Sequence, residues 1–527
     1  MRTKIQRQLR AGKRRIERRL DKSRLGDCSR PVFAAANIHY EIAQRARGIS
    51  YGGLGAIVLL VRRLGLAEAI DRHLHLLKMH LPYHESDHVL NLAYNALCDG
   101  TCLEDIELRR NDEVFLDAIA ARRIPDPTTA GDFCRRFRTG DVRTLWDVFH
   151  RARHKAWAGQ PAEFFAQANI DMDGTLVPTS GECKQGMDIA YNGVWGYHPL
   201  VVSLANTSEV LSIVNRSGNR PSHEGAADEI DRVLAVCFAG GFRRVLLRGD
   251  TDFTQSKHLD RWDDDPRVRF IFGFEAAGNL LTLADDLPET AWKRLKRPPR
   301  YRVKTERRAR PRNVKQRIVR ERGYKDIHLE GEEVAEFDYR PTACRKTYRM
   351  IVIRKNLRVR DEQGQLFDDY RYFFYITNDR QSTPQEIVFS ANDRCDQENL
   401  HAQLKGGVRA LYAPVDDLVS NEAWMTMTSL AWNLKAWLAL SLPDQPPERK
   451  PPERKPQRNH KQRQEVQRSE KQTLLRMEFK TFINAFIRLP CQIVNTGRRI
   501  VYRLLGWNRW LEVFFRLIDS LRRPLRC

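Results

Sequence analysis

Glu398 lies in the stretch Asn392-Asp-Arg-Cys-Asp-Gln-Glu-Asn-Leu-His-Ala-Gln-Leu-Lys405. On a helix turning 100° per residue, Arg394, Glu398, His401 and Lys405 would share an arc of about 60°. That stripe sets one carboxylate among cations. Far upstream, two apolar runs each end in aspartate: Ala168-Asn-Ile-Asp-Met-Asp173, and Arg243-Arg-Val-Leu-Leu-Arg-Gly-Asp250. Two strand-end aspartates and a helix-borne glutamate form a candidate divalent-metal triad, because Mg²⁺ prefers oxygen ligands and is commonly held by a few carboxylates beside phosphate. Arg394 and Lys405 would then face phosphate, Arg394 as a bidentate fork and Lys405 as a point charge. His401 shares the face and could touch phosphate too. The same Glu398, Arg394 and Lys405 also fit ordinary i, i+4 and i, i+7 surface ion pairs.

Composition narrows the partners. The 527 residues exceed what one hydrophobic core organises, so two to four structural units are expected. With 90 Lys+Arg against 67 Asp+Glu the net charge is +23, which favours a polyanion, nucleic acid before membrane. The ten cysteines are scattered and include no Cys-x-x-Cys, arguing against a zinc site or a disulfide framework and for a reducing cytoplasm. The N-terminus lacks the apolar core of a signal peptide. The most apolar segment, 422–442, is interrupted by Asn433 and Lys435 and reads as a buried helix with Trp424, Trp432 and Trp437 in the core rather than a membrane span.

The elements that must carry the triad follow from periodicity. Residues 1–24 alternate basic residues with Ile5, Leu9, Ile16 and Leu20, the pattern of a short basic helix or of a solvated charged tail. From 51 to 157 the pattern is helical, with Thr128 as the expected N-cap of a helix carrying Arg135 and Arg136 that could meet a DNA backbone. Strand-like runs follow at 168–173, 198–205 and 209–216, then a helix at 224–238, a strand at 244–249, a short helix near 254–261 and a strand at 267–273. This is the element order of a ribonuclease-H-like α/β core, in which Asp173 and Asp250 end neighbouring strands. His198 opens a strand and reads as a packing or hydrogen-bonding residue. Between 275 and 378 comes a β-rich insertion, with a basic arm in which 15 of the 30 residues from 293 to 322 are Lys or Arg. Residues 443–472 repeat Pro-Pro-Glu-Arg-Lys and read as a linker. The run Gly497–Leu517 reads as an amphipathic helical segment.

These residues resemble bacterial insertion-sequence transposases of the DDE class, in the superfamily whose last motif is Tyr-x2-Arg-x3-Glu-x6-Lys. Arg394, Glu398 and Lys405 match that spacing, and Ala391 stands at the tyrosine position. Asp173-Gly-Thr matches the first motif and Asp250-Thr-Asp-Phe253 the second. Tyr191-Asn-Gly-Val-Trp-Gly-Tyr-His-Pro-Leu200 and Gly497-Arg-Arg-Ile-Val-Tyr-Arg503 look like the thirteen-eighty branch. The resemblance implies Asp173, Asp250 and Glu398 as catalytic, metal-binding residues, with Asp171 and Asp252 as neighbours open to confusion with them. It further implies Mg²⁺ or Mn²⁺, two ions in all, and double-stranded DNA as partner, both terminal inverted repeats and target. Arg394, Lys405 and His401 would contact that DNA. A dimer on DNA is expected, with no membrane, in the bacterial cytoplasm at the nucleoid. Members of the superfamily also insert a Trp from the β domain into DNA; here no Trp occurs between 293 and 423, which leaves Tyr370, Tyr372 or Phe373 for that place.

The expected layout is a basic arm (1–50), a helical DNA-binding domain (51–160), the ribonuclease-H-like core in two parts (161–275 and 379–442) around the β-rich insertion (276–378), the linker (443–472) and a basic aromatic C-terminal segment (473–527). The function expected is metal-dependent cleavage and strand transfer. A ribonuclease-H-like nuclease without strand transfer and a catalytically silent DNA-binding derivative remain open.

Overall fold

A computed structural model describes residues 2–21, 38–40, 46–181, 183–297, 326–360, 366–443, 470–497 and 499–523. Most of the basic stretch 293–322 and of the Pro-rich linker 443–472 lies outside the described residues. The chain divides into two compact units, one of residues 1–164, 175–220 and 399–527, the other of 165–174 and 221–398.

The first unit is built around the segment with the most continuous apolar sequence. Leu418–Leu440 is one helix, started by Asp417, whose side chain accepts the Ser420 amide at 2.8 Å. A helix apolar on every side must be enclosed. Helices Leu54–Leu64, Glu85–Leu97, Pro127–Arg135 and Thr139–Trp157 and strand Glu209–Val214 enclose it, and Trp424, Trp432 and Trp437 are buried as expected. Among the described residues no helix is long and apolar enough to cross a membrane.

The two polar residues that interrupt the run each complete a backbone requirement. Asn433 accepts the Val210 amide and donates to the Val210 carbonyl, both at 2.9 Å, pairing the backbone of a buried strand as another strand would. Lys435 donates to the Leu475 carbonyl at 3.0 Å and lies 3.8 Å from the Trp432 ring, while burial pulls its ammonium down to about 7. Nearby, Glu209 and Arg153, both without solvent exposure, pair at 2.9 Å. The Glu209 carboxylate also accepts from Trp157 at 2.9 Å and from Trp437 and Thr207 at 2.6 Å each.

Three local expectations change. The helix Pro127–Arg135 is capped by Asp126, not Thr128: with proline at its first position, the Asp126 carboxylate takes the Thr129 amide at 2.9 Å. Its Arg135 is committed to Asp132 at 2.8 Å and Asp416 at 2.7 Å. Gly497–Leu517 is not one helix. Cys491–Thr496 and Arg499–Leu504 form an antiparallel hairpin, with Thr496 paired to Arg499 across a two-residue turn, and only Leu511–Leu521 is helical. Gly497 at the turn and β-branched Ile500 and Val501 after it are the local chemistry of a hairpin. The helix Arg2–Leu20 turns Ile5, Leu9, Gly12 and Ile16 inward, and a Cβ on Gly12 would come within 3.0 Å of the Trp507 ring.

The second unit carries a mixed sheet in the order 293–294, 326–339, 348–360, 366–377, 268–274, 245–249, 168–174. The last three strands run parallel to one another and the rest pair antiparallel. The β-rich insertion is therefore a meander that continues the sheet beyond strand Val268–Phe274. Leu246, Ile271, Val334, Ile351 and Ile353 pack beneath Ile387 and Val388 of helix Pro384–Asp393. That helix opens with a capping box in which the Thr383 amide donates to Glu386 at 2.8 Å.

Removing Arg153 leaves the Glu209 carboxylate buried without its counter-ion, so Arg153→Met should lower stability in urea by roughly 3–5 kcal/mol; an unchanged midpoint would mean that the tryptophan and threonine donors suffice. Lys435→Met should have the opposite sign. The folded pKa is depressed below that of the unfolded chain, so the unfolded state binds more protons between about pH 7 and 10 and wild-type stability rises with pH there. The variant should lack that rise and gain roughly 1–3 kcal/mol at pH 7, measured by denaturation across this pH range.

Candidate active site

Strands Ala168–Gly174 and Val245–Gly249 pair in parallel with Asp171 opposite Arg248. Side chains two residues apart on a strand share a face, so Asp171 and Asp173 form one column and Arg248 and Asp250 the next. The inner pair is closed: Arg248 Nε and Nη2 hold the two Asp171 oxygens at 2.6 and 2.8 Å, and Nη1 donates to the Ser390 carbonyl at 2.9 Å. One step outward the same three elements present Asp173, Asp250 and Arg394. Arg394 Nη1 lies 3.3 Å from Asp173 Oδ2, and Nη2 lies 3.9 Å from Asp250 Oδ2. Two strand-end carboxylates thus converge on one guanidinium.

The backbone at Asp250 is held from two sides. Its Oδ1 accepts the Asp252 amide at 3.0 Å, making Asp250 the cap of the single turn Thr251–Phe253. On the neighbouring strand, a Cβ on Gly273 would sit 2.8 Å from the Thr251 nitrogen and 3.0 Å from the Asp250 carbonyl carbon. Glycine there permits the close approach that brings Asp250 to the strand end. Asp171 and Asp252 are distinguished by this geometry, since Asp171 is buried in its own ion pair and Asp252 is exposed on the turn.

Burial pushes the Asp173 carboxyl up to about 6; Arg394 opposes the rise and Asp250 adds to it. Asp250 is raised too, by burial first and by Asp252, against the pull of Arg394. Two desolvated carboxylates close enough to repel make a site that gains from any added cation. Mg²⁺ is commonly held through one or two carboxylates together with phosphate oxygens, and this pair offers that donor chemistry.

The remaining site residues stand differently. The stripe expected over 394–405 is not one helix: Arg394 caps Pro384–Asp393, a new helix runs Asp396–Ala402, and Gln403–Gly407 widens into a π-helical turn. The break follows from Asn392-Asp-Arg-Cys-Asp396, a run of mostly weak helix formers, whose amides at 394, 395 and 397 bond three residues back. Glu398 is exposed on the second helix, and among the described residues no group of three acidic, histidine or cysteine side chains is close enough to share a metal. His401 is buried at 7 % exposure and Lys405 is half-buried. Ala391 packs against the core cluster beneath the meander. Elsewhere in the chain, buried His198 pairs its Nδ1 with the Arg220 carbonyl at 2.9 Å. Tyr370 and Phe373 are exposed on the meander, while Tyr372 donates to Asp285 at 2.6 Å.

Sequence reasoning missed Arg248 and Ser390. The signal for Arg248 was present, because Asp171-x-Asp173 and Arg248-x-Asp250 carry the same spacing on two strands and a charge inside an apolar strand requires a partner. Nothing local marks Ser390, whose contribution is a backbone carbonyl.

A family model described as Transposase DDE domain group 1 matches residues 43–451. No curated protein matches the chain. Among solved structures, the chain is similar to a piggyBac transposase in a synaptic complex with hairpin DNA, at 12% identity over 84% of this chain and 85% of that one, with a TM-score of 0.32. A superposition that loose transfers no residue or element.

With its pKa raised above the unfolded value, Asp173 binds more proton in the folded state between about pH 4 and 6, so it lowers stability as pH rises through that window. Asp173→Asn should flatten that part of the pH–stability profile of metal-free protein. Thermal denaturation from pH 4 to 7 measures it, and an unaltered profile would show that the Asp173 carboxyl is not desolvated.

Proposed function

Because the chain belongs to the Transposase DDE domain group 1 family, we propose that it is the transposase of an insertion sequence of the thirteen-eighty branch. In this reading it binds the terminal inverted repeats, cleaves the strands with a divalent metal and joins the freed 3′-hydroxyls to target DNA. The observation that carries the reading is the convergence of Asp173 and Asp250 on the Arg394 guanidinium at the ends of adjacent parallel strands. The order of strands and helices along 168–274 supports a ribonuclease-H-like core beneath them.

Asp173 and Asp250 would hold the first of two ions, and Glu398 would complete the second site by turning in from its exposed helix. Bound Mg²⁺ or Mn²⁺ would supply an activated water or 3′-hydroxyl and a stabilised leaving oxygen. Arg394 would grip a phosphate beside the cut, with Lys405 and His401 as further DNA contacts. The net charge of +23 supports a duplex partner, as does the helix Arg2–Leu20, whose exposed side carries Arg7, Arg10, Arg14 and Arg18. The helical segment 51–160 would read the repeat, and a dimer would hold two ends together.

The test is a reaction of purified protein with Mg²⁺, a labelled duplex carrying the repeats that flank its gene, and a supercoiled target. Joined product is expected from the wild type, with a loss of about a thousandfold or more in Asp250→Asn and Glu398→Gln, while repeat binding in a gel-shift assay persists. Nicking without joining would make the protein a nuclease, and binding without breakage a silent derivative. DNA affinity should also fall with salt at a log–log slope of about −0.9 for each phosphate neutralised; a flat response would remove the basic surfaces from the interface.

A further inference from the structure

The position of Arg394 bears on how the carboxylate pair is kept before any metal arrives. Its two terminal nitrogens reach different carboxylates, Nη1 to Asp173 at 3.3 Å and Nη2 to Asp250 at 3.9 Å. Neither contact is the tight bidentate fork made by Arg248 on Asp171, at 2.6 and 2.8 Å, immediately beneath. The inner arginine is 5% exposed and the outer one 20%. Arg394 sits at the break between helices Pro384–Asp393 and Asp396–Ala402, where the chain is not held by a continuous α-helical ladder. Loose, spread contacts, partial exposure and a helix junction describe a side chain that can leave.

We propose that Arg394 is an internal counter-cation that holds Asp173 and Asp250 together in the metal-free protein and is exchanged onto a DNA phosphate when a divalent cation binds. This rests on the reading of Asp173 and Asp250 as metal ligands. A guanidinium and a divalent cation repel each other strongly at these distances in a poorly hydrated site, so the two compete for the same oxygens. Displaced, Arg394 retains its planar fork of donors, and two oxygens of a phosphate beside the metal satisfy it. Phosphate binding draws the guanidinium off the carboxylates and favours the metal. By linkage the metal favours phosphate to the same degree.

The sign of this effect separates it from a structural role. An arginine that merely supports the site loosens metal binding when removed, whereas a competing internal cation tightens it. The experiment titrates Ca²⁺, which replaces Mg²⁺ so that DNA stays whole, into full-length protein by calorimetry, with and without a duplex carrying the inverted repeat. Wild type is compared with Arg394→Ala and Arg394→Lys. In the absence of DNA, Arg394→Ala should bind Ca²⁺ about 5- to 100-fold more tightly than wild type. DNA should tighten Ca²⁺ binding in the wild type by a larger factor than in Arg394→Ala, where only direct contact of phosphate with the ion remains. Arg394→Lys, which keeps the charge but cannot span two carboxylates, should fall between them and guards against misreading an unfolded variant. Equal or weaker Ca²⁺ binding by Arg394→Ala, with wild-type behaviour in Arg394→Lys, overturns the exchange. If wild type and Asp173→Asn alike take up no Ca²⁺, the metal-site reading falls first and the exchange with it.

Discussion

The buried pair of Asp171 and Arg248 sets the positions of Asp173, Asp250 and Arg394. Charges inside a sheet tolerate no slip of register. Moving strand Ala168–Gly174 by one residue would place Asp171 opposite Leu247 or Gly249 and leave two ions unpaired in the core, at a cost of several kcal/mol. Such a pair is weak as a source of net stability and strong as a device for alignment. Because Arg248 also donates to the Ser390 carbonyl, the alignment extends to a third element. Asp173, Asp250 and Arg394 lie two, two and four residues further along those same elements, and the outer cluster inherits its geometry from the inner one.

The helical unit uses the same physics for a different purpose. Glu209 and Arg153 are fully buried, and the carboxylate collects donors from Trp157, Trp437 and Thr207 until its lone pairs are satisfied. Asn433 does for the Val210 backbone what a neighbouring strand would do. The central helix therefore places Asn433 where a packed strand needs a partner. Asp171 and Glu209 are each held by a close ion pair, whereas Asp173 and Asp250, which burial likewise raises in pKa, are only loosely neutralised by Arg394. A site that is incompletely satisfied in the folded chain is one that gains from a ligand.

Much of this was legible from residue order. Apolar runs ending in Asp173 and Asp250 gave two strands, since branched and apolar residues in short runs bounded by turn signals have few other uses. The strands between 326 and 377 and the helices between 51 and 157 followed from period, and the buried helix from its apolar length. The failures share a physical cause. Asp126 displaced Thr128 as a cap because proline at the first helical position selects the residue before it. The second arm of a hairpin, Arg499–Leu504, replaced the first part of the helical segment expected over Gly497–Leu517 because turn chemistry at Gly497 outweighs a helical apolar spacing. The 394–405 stripe broke because its first residues favour turns over helix.

The sequence by itself determined the inventory: which carboxylates end strands, how strongly basic the surface is, which helix must be enclosed, and a family resemblance carried by spacing. Tertiary structure decided which of those groups meet. It paired Asp171 with Arg248, set Arg394 between Asp173 and Asp250 rather than on a solvent face, and left Glu398 exposed. The reason is that spacing along a chain fixes contacts only within one element, whereas contacts across elements depend on register and on which buried charges must be neutralised for the fold to exist.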